Sequence, residues 1–195
     1  QTAAPSAVGT AAITALTVSE TVYELVQDEA ALNTWIAAAY ADGVVAVDTE
    51  TTSLDSMEAL LVGISLCTAP GHACYIPVAH VKPGEQTSLD LGGTDTSTTK
   101  SNRTIKQIAL KKVVKLLKPM LESPSVLKIG HNIKYDQKIF HRYGINVAPV
   151  DDTMILSYVL GGAQHGHGMD ELSLLHLDHK TIKFKDVAGS GKSQV

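Results

Sequence analysis

Several things are scarce in this 195-residue sequence, and each scarcity removes a class of protein. Only two cysteines occur, Cys67 and Cys74, and no C-x-x-C pair. A disulfide-built scaffold and a structural zinc site are therefore poor descriptions. The two lie close enough for a bridge to be conceivable, but spacing alone does not supply bridge geometry, so two reduced thiols is the preferred reading. No apolar run approaches the roughly 20 residues that a membrane helix needs. The longest, Ala59 to Leu66, is broken by Gly63 and Ser65. No basic segment precedes an apolar one near the start, so no secretory signal is read, and a reducing compartment without membrane contact is expected. Positive charge is not in excess either. The net charge of −4 argues mildly against a nucleic-acid binder with a strongly basic face. Two features soften that point. Acidic sites lose negative charge when they bind cations. Basic residues also gather at Lys100, Arg103, Lys106, Lys111, Lys112, Lys115 and Lys118, a run whose plain reading is the solvated face of an amphipathic helix.

What is present fits one globular domain: 44% hydrophobic and 18% charged residues. Residues 1–17 read as a linker from an upstream domain, and 18–195 as the domain itself. The closing Gly/Ser segment "AGSGKSQV" is an unexpected place for a domain to finish, so both ends are expected to be cut. Val18 to Leu25 can hold a short strand. Asp28 can cap a helix reaching about Tyr40, with Leu32, Trp35, Ile36 and Ala39 on one face and Asp42-Gly43 ending it. Val44 to Val47, Leu60 to Leu66 and Ala73 to Val78 predict three strands in succession, an antiparallel meander. Lys82 to Asn102 is rich in Thr, Ser, Gly and Asp and reads as a long loop. A helix over Ile105 to Leu117, stopped by Pro119, a strand over Val126 to Ile129, and helices over Ile133 to Tyr143, Thr153 to Leu160 and Met169 to Leu177 complete the pattern. Strands first, then alternating strand and helix, predict an α/β fold with a mixed sheet.

The sharpest feature is "VVAVDTETTSLD". Asp48 and Glu50 follow a buried strand, and residues two apart on a strand point to one face. Two carboxylates so placed repel and lose hydration, and a cation would compensate them. Oxygen-only ligands favour a hard ion such as Mg²⁺ or Mn²⁺. On spacing alone the pair also reads as two solvated loop acids. The second feature is "LKIGHNIKYDQKIF". Asn132 sits at a good N-cap position, and Asp136 lies one turn inside, on the face of Asn132 and Phe140; an Asp there can also merely complement the helix dipole. Asp152, in "VDDTMILSYVL", is expected to cap the helix after it, and Asp151 carries no distinct signal. The histidine-rich "HGHG" (His165 to Gly168) reads as a Gly-rich loop rather than a metal site. His131 is given a packing or surface role.

Together "DTETTSLD", "GHNIKYD", "DDTM" and "HKTIKF", with "YIPVAH" and "AGSGKSQ", resemble the 3′→5′ proofreading exonuclease domain of bacterial DNA polymerase I. That domain belongs to the DnaQ-like, RNase H-like exonuclease superfamily. The likeness runs from about Val22 to the last residue, with four motifs in matching order and spacing. It implies an RNase H-like mixed central sheet, antiparallel strands first and then parallel, flanked by helices. It implies catalytic and metal-holding roles for Asp48, Glu50 and Asp136 toward two divalent ions, Mg²⁺ or Mn²⁺. It implies DNA contacts by Thr51, Leu54 (an apolar wedge at the terminal base), Asn132, Tyr135 and Phe184. The implied partners are single-stranded or frayed 3′ DNA ends and a polymerase domain in the same parent chain, in the bacterial cytoplasm. The implied reaction is hydrolysis of the 3′-terminal phosphodiester with release of a nucleoside 5′-monophosphate. One departure stands out. The family's third motif, a Tyr followed four residues later by an Asp, is absent: Tyr158 has Gly162 at that position. The motif is expected shortly past Val195, so cleavage by this chain alone is expected to be weak or absent. A DNA-end-binding module without turnover and an RNase D-like RNA exonuclease are the competing readings.

Overall fold

The computed structural model describes residues 21–81, 105–183 and 186–187. The expected loop Lys82 to Asn102, the terminal segments, Lys100, Arg103 and Phe184 lie outside them. Six strands form one sheet: β1 (Val22–Leu25), β2 (Val44–Thr51), β3 (Leu61–Ala69), β4 (His72–Pro77), β5 (Leu127–Gly130) and β6 (Val150–Asp152), in the order β1-β4-β3-β2-β5-β6. The meander is as expected. β2 pairs antiparallel with β3, and β3 with β4, while β2–β5 and β5–β6 are parallel. β1 adds to the outer edge of β4 in parallel. β2 is thus a central strand, between an antiparallel neighbour and a parallel one. The fold is the mixed α/β sheet expected from the sequence.

Helix α1 (Glu29–Asp42) begins where Asp28 accepts a hydrogen bond from the Ala31 amide, and it ends on Gly43 in the left-handed region (φ 68°). Leu32, Trp35 and Ala39 bury one stripe of it, with Ile36 packed beside them. Helix α2 (Leu110–Leu121) differs from expectation at both ends. It starts later, and in the stretch ahead of it the Gln107 side chain brackets the backbone N–H and C=O of His80. It also continues through Pro119, since Leu117, Met120 and Leu121 are all fully buried. The proline sits in the last turn, where one lost backbone bond is outweighed by that burial. Helices α3 (Lys134–Arg142), α4 (Thr153–Gly161) and α5 (Met169–Leu177) follow. Neither α4 nor α5 has a buried side chain among the described residues, and Tyr158, Val159 and Leu177 are well exposed. No helix among the described residues is long and apolar enough to cross a membrane. Cys67 and Cys74 are both free thiols, and burial pushes that of Cys74 up to about 12.

One buried cation holds the parallel half together. Lys128, on β5, is fully buried. Its Nζ donates to the carbonyls of Ser123 (2.9 Å), Val126 (2.6 Å) and Ala148 (2.5 Å). It therefore ties the turn after α2 to the segment entering β6. Burial lowers its pKa to about 8, so at neutral pH it remains an ammonium with three N–H groups for three carbonyls. Replacing it removes all three bonds and leaves buried acceptors unmet. Lys128→Met is expected to lower unfolding free energy by roughly 2–4 kcal/mol, measurable as a shift of the urea midpoint at pH 7. An unchanged midpoint would show that the three carbonyls find other partners.

Candidate active site

The site grows from the strand that the sequence marks most clearly. β2 runs on through Thr51, so Asp48 and Glu50 lie within the strand rather than just past it. Alternation sends Val45, Val47 and Thr49 inward, all three buried, and leaves Asp48 and Glu50 together on the opposite face. Solvent still touches both acids. Enough protein surrounds them, however, that burial raises both carboxyls above their ordinary range. The Asp48 charge raises Glu50 further. The Thr49 amide and the nearby His131 pull Asp48 the other way.

Asp136 arrives from α3. Its Oδ1 accepts from the backbone N–H of Thr49 (3.0 Å) and from the Thr49 hydroxyl (2.5 Å). The residue between the two strand acids thus anchors the third. Asp136 is 4% exposed. Burial pushes its carboxyl up to about 6; the Thr49 hydroxyl opposes this, and the Asp48 charge adds to it. The acids influence one another pairwise, Asp48 with Glu50 and Asp48 with Asp136. Among the described residues, no three His, Cys, Asp or Glu side chains stand close enough together to enclose an ion. The donors on offer are carboxylate oxygens whose ionised forms are penalised, a set that suits a hard divalent cation.

The turn ahead of α3 differs from the expected cap. Asn132 adopts φ 59°, in the left-handed region that Asn tolerates better than most residues, and α3 starts at Lys134 with no side-chain cap. Asp152 does the tethering instead. Its carboxylate accepts from the amides of Asn132 and Ile133 (both 3.0 Å) while also capping α4 through the amides of Met154 and Ile155. The cap expected of Asp152 is therefore present, and it doubles as the brace of the "GHN" turn. His131 is oriented in the same turn. The Thr153 hydroxyl donates to the Gly130 carbonyl, so it accepts from His131 Nδ1 at 2.9 Å.

Tyr135, on α3, reaches the loop after β2: its hydroxyl donates to the Ser53 carbonyl (2.5 Å) and meets the Thr51 hydroxyl (2.5 Å). Arg142 donates to the carbonyls of Ser56 and Ala59 in the same loop, and the Tyr143 hydroxyl accepts from the Leu61 amide. This loop carries Leu54, which is 97% exposed. Of the residues singled out from sequence, Asp48, Glu50, Asp136, Thr51, Leu54 and Tyr135 are linked through β2, its following loop and α3. Asn132 sits at the turn beside them with an exposed side chain. Phe184 lies outside the described residues.

Four contributors went unnoticed in the sequence. Thr49 and Arg142 are two. The others are Tyr75 and His80, inside "YIPVAH". Tyr75 lies across β3 at Gly63, where a Cβ would come within 1.9 Å of its hydroxyl, and Gly63 is the strand partner of Glu50. The phenol hydrogen-bonds His80 Nε2 at 2.7 Å. Its pKa is raised to about 12, by burial and then by the Glu50 charge. The signal available in sequence was a glycine opposite an acid in an otherwise apolar strand.

Comparison with known proteins gives this arrangement a family. Residues 23–195 match the family model described as 3′-5′ exonuclease. DNA polymerase I of Rhizobium leguminosarum is 44% identical over 182 residues, covering 89% of this chain and 17% of that protein. DNA polymerase I of Pseudomonas aeruginosa is 35% identical over 180 residues, covering 91% of this chain and 18% of that protein. The chain therefore spans less than a fifth of the length of these relatives. Among solved structures, Escherichia coli RNase D, an exoribonuclease involved in structured RNA processing, aligns with TM-score 0.58 at 21% identity, over 86% of this chain and 36% of that one. Brucella melitensis NrnC with bound Mg²⁺ aligns with TM-score 0.56 at 21% identity, over 84% of this chain and 64% of that one. These two likenesses establish the fold, and the family match establishes kinship: the chain belongs to the 3′-5′ exonuclease domain family found in DNA polymerase I.

Proposed function

We propose that this domain hydrolyses the terminal phosphodiester of a DNA 3′ end and releases a nucleoside 5′-monophosphate. The observation that carries the proposal is the Thr49 link, which sets a third acid from α3 against the strand bearing Asp48 and Glu50. Asp48, Glu50 and Asp136 are the proposed holders of two divalent ions, Mg²⁺ or Mn²⁺. Such ions, when bound, supply the positive charge that activates a water and offsets charge on the phosphate and the leaving 3′-oxygen. Thr49 keeps Asp136 aimed at β2. His131 favours the ionised form of Asp48. Leu54, held out by a loop pinned to α3, is proposed to wedge against the terminal base, with Thr51, Tyr135 and Asn132 along the approach and Phe184 as a further stacking residue. An unpaired end can splay onto such an apolar surface and a paired end cannot. The proposed substrates are therefore single-stranded or frayed 3′ DNA ends. The proposed partner is a polymerase domain of the same polypeptide, in the bacterial cytoplasm, in keeping with the bacterial relatives.

Two measurements test this. Incubation with labelled single-stranded DNA and Mn²⁺ is expected to give weak but metal-dependent mononucleotide release. Asp48→Ala is expected to lower it at least about 100-fold, or about 2.7 kcal/mol of transition-state stabilisation. Retention of DNA without cleavage would favour an end-binding module, and faster release from RNA than from DNA would favour an RNase D-like activity.

The second measurement concerns stability. The Asp136 carboxyl is raised from 3.8 to about 6 in the fold. Between those two pH values the unfolded chain gives up this proton before the folded one does. Folding therefore loses stability as pH rises through the window, by up to about 3 kcal/mol. Asp136→Asn keeps an oxygen that can accept from Thr49 but carries no charge. The variant is expected to melt higher than wild type at pH 7.5 without divalent ions, to show no such gain near pH 4, and to lose metal-dependent cleavage. A difference in melting temperature that does not change with pH would contradict the placement of Asp136.

A further inference from the structure

Helix α3 has a second face that the acid site does not use. Asp136, Ile139 and Phe140 are buried on its inner side. Lys134, Lys138, His141 and Arg142 recur on the outer side at one-turn and two-turn spacing. They line a groove of about 450 Å³ together with Met57. No carboxylate is among the lining residues. The chain as a whole has 20 acidic and 16 basic side chains, so a groove whose ionisable lining residues are all of basic type departs from its surroundings, with Gln137, Ile145, Asn146 and Val147 completing the wall. Nor are Lys134, Lys138 and Arg142 spent on ion pairs among the described residues. The two salt bridges among the described residues, Lys112–Glu29 and Lys118–Glu122, both involve α2. Arg142 is held in place by the Ser56 and Ala59 carbonyls, which fix the guanidinium without neutralising it. The His141 ring is oriented by Asn146 at 3.0 Å.

We propose that this groove receives the phosphate backbone of a nucleic-acid strand, upstream of the end that enters the acid site. The inference rests on the exonuclease reading for the identity of the polyanion. The geometry that favours it is continuity. The loop between β2 and β3 carries exposed Leu54 and, three residues on, Met57 at 70% exposure on the groove wall. Met57 thus joins the loop that carries Leu54 to the groove that carries Lys138. Lys134 and Lys138 lie one helical turn apart, about 6 Å along the axis, so each can face a different phosphate of an extended strand. Two free ammonium groups and a fixed guanidinium bind the backbone without reading sequence, as a domain that must accept any terminal base requires.

The test is a lysine footprint on the whole chain without divalent ions, using a 12-nucleotide phosphorothioate oligothymidylate that resists cleavage. Acetylation of Lys134 and Lys138 is expected to slow at least about threefold on adding the oligonucleotide, as bound phosphate excludes the reagent. The exposed Lys111 and Lys115 of α2 are expected to keep their reactivity. In the Lys134→Ser/Lys138→Ser variant, the slope of log binding constant against log salt is expected to fall by about 1.4, the value for two single-strand phosphate contacts. Equal slowing on α2, an unchanged salt slope or no binding of the 12-mer would overturn the proposal. So would equal protection by polyglutamate at matched charge, which would mark the groove as a surface for acidic protein segments. Because no divalent ion is present, failure here is separate from failure of metal-dependent cleavage.

Discussion

The site depends on one short connection, the pair of hydrogen bonds from Thr49 to Asp136. A strand can place two carboxylates on one face by alternation alone, but it cannot bring a third from a distant helix. That requires a contact on the strand's other side. Thr49 supplies it with an amide and a hydroxyl aimed at a single oxygen. A buried carboxylate without such donors would carry a larger desolvation penalty still. The donors do not cancel that penalty, since the Asp136 carboxyl remains raised to about 6. The fold therefore holds its third acid in a state that is tethered and electrostatically dissatisfied. Carboxyls raised in this way cluster at functional sites.

Much of the architecture was legible because its signals are local. Asp28 before a helical apolar stripe, Gly43 after it, and β-branched runs separated by turn residues each report on a few neighbouring residues. The α1 boundaries and the β2–β3–β4 meander follow from them. The misreadings arose where a distant residue overrode the local signal. Pro119 is a helix stop by its own chemistry, yet the buried Met120 and Leu121 carry α2 past it. Asn132 is a good cap by position, yet Asp152, twenty residues on, takes the amides of the turn and leaves Asn132 in a left-handed conformation. Helix α4 is apolar nearly all round, a pattern that suggests burial, but none of its side chains is buried among the described residues. Periodicity says that such a helix exists and is silent on what covers it.

The proposed acids stand out in the sequence for a different reason. Asp48 and Glu50 betray themselves by their cost, two charges in an apolar strand. Asp136 does so less clearly, since a first-turn Asp also suits a helix dipole, and only the resemblance of the whole motif set separated the two. The supporting residues had no such signature. Thr49 is an ordinary strand residue, and Arg142 an ordinary helix residue near a C-terminus. Their roles come from what the fold sets opposite them, 87 residues away for Thr49 and Asp136. Gly63 is the exception. Its missing side chain makes room for the Tyr75 phenol beside Glu50.

These observations converge on α3, a nine-residue helix that would be marginal in isolation. Ile139 and Phe140 root it in the core, Asp136 joins it to the acid strand, and Tyr135, Arg142 and Tyr143 fasten the Leu54 loop to it. Asp136 and the exposed leucine are both held by this one element. A shift of the helix would therefore carry the loop and Asp136 together and preserve their relation to each other. Had the loop been held by the sheet edge and the acid by the helix, small motions between the two would blur the distance from Leu54 to Asp136. Under the proposed function, positioning at that scale is what the reaction demands. One rigid bracket supplies it with few residues, Tyr135 and Arg142 reaching the loop's carbonyls from α3.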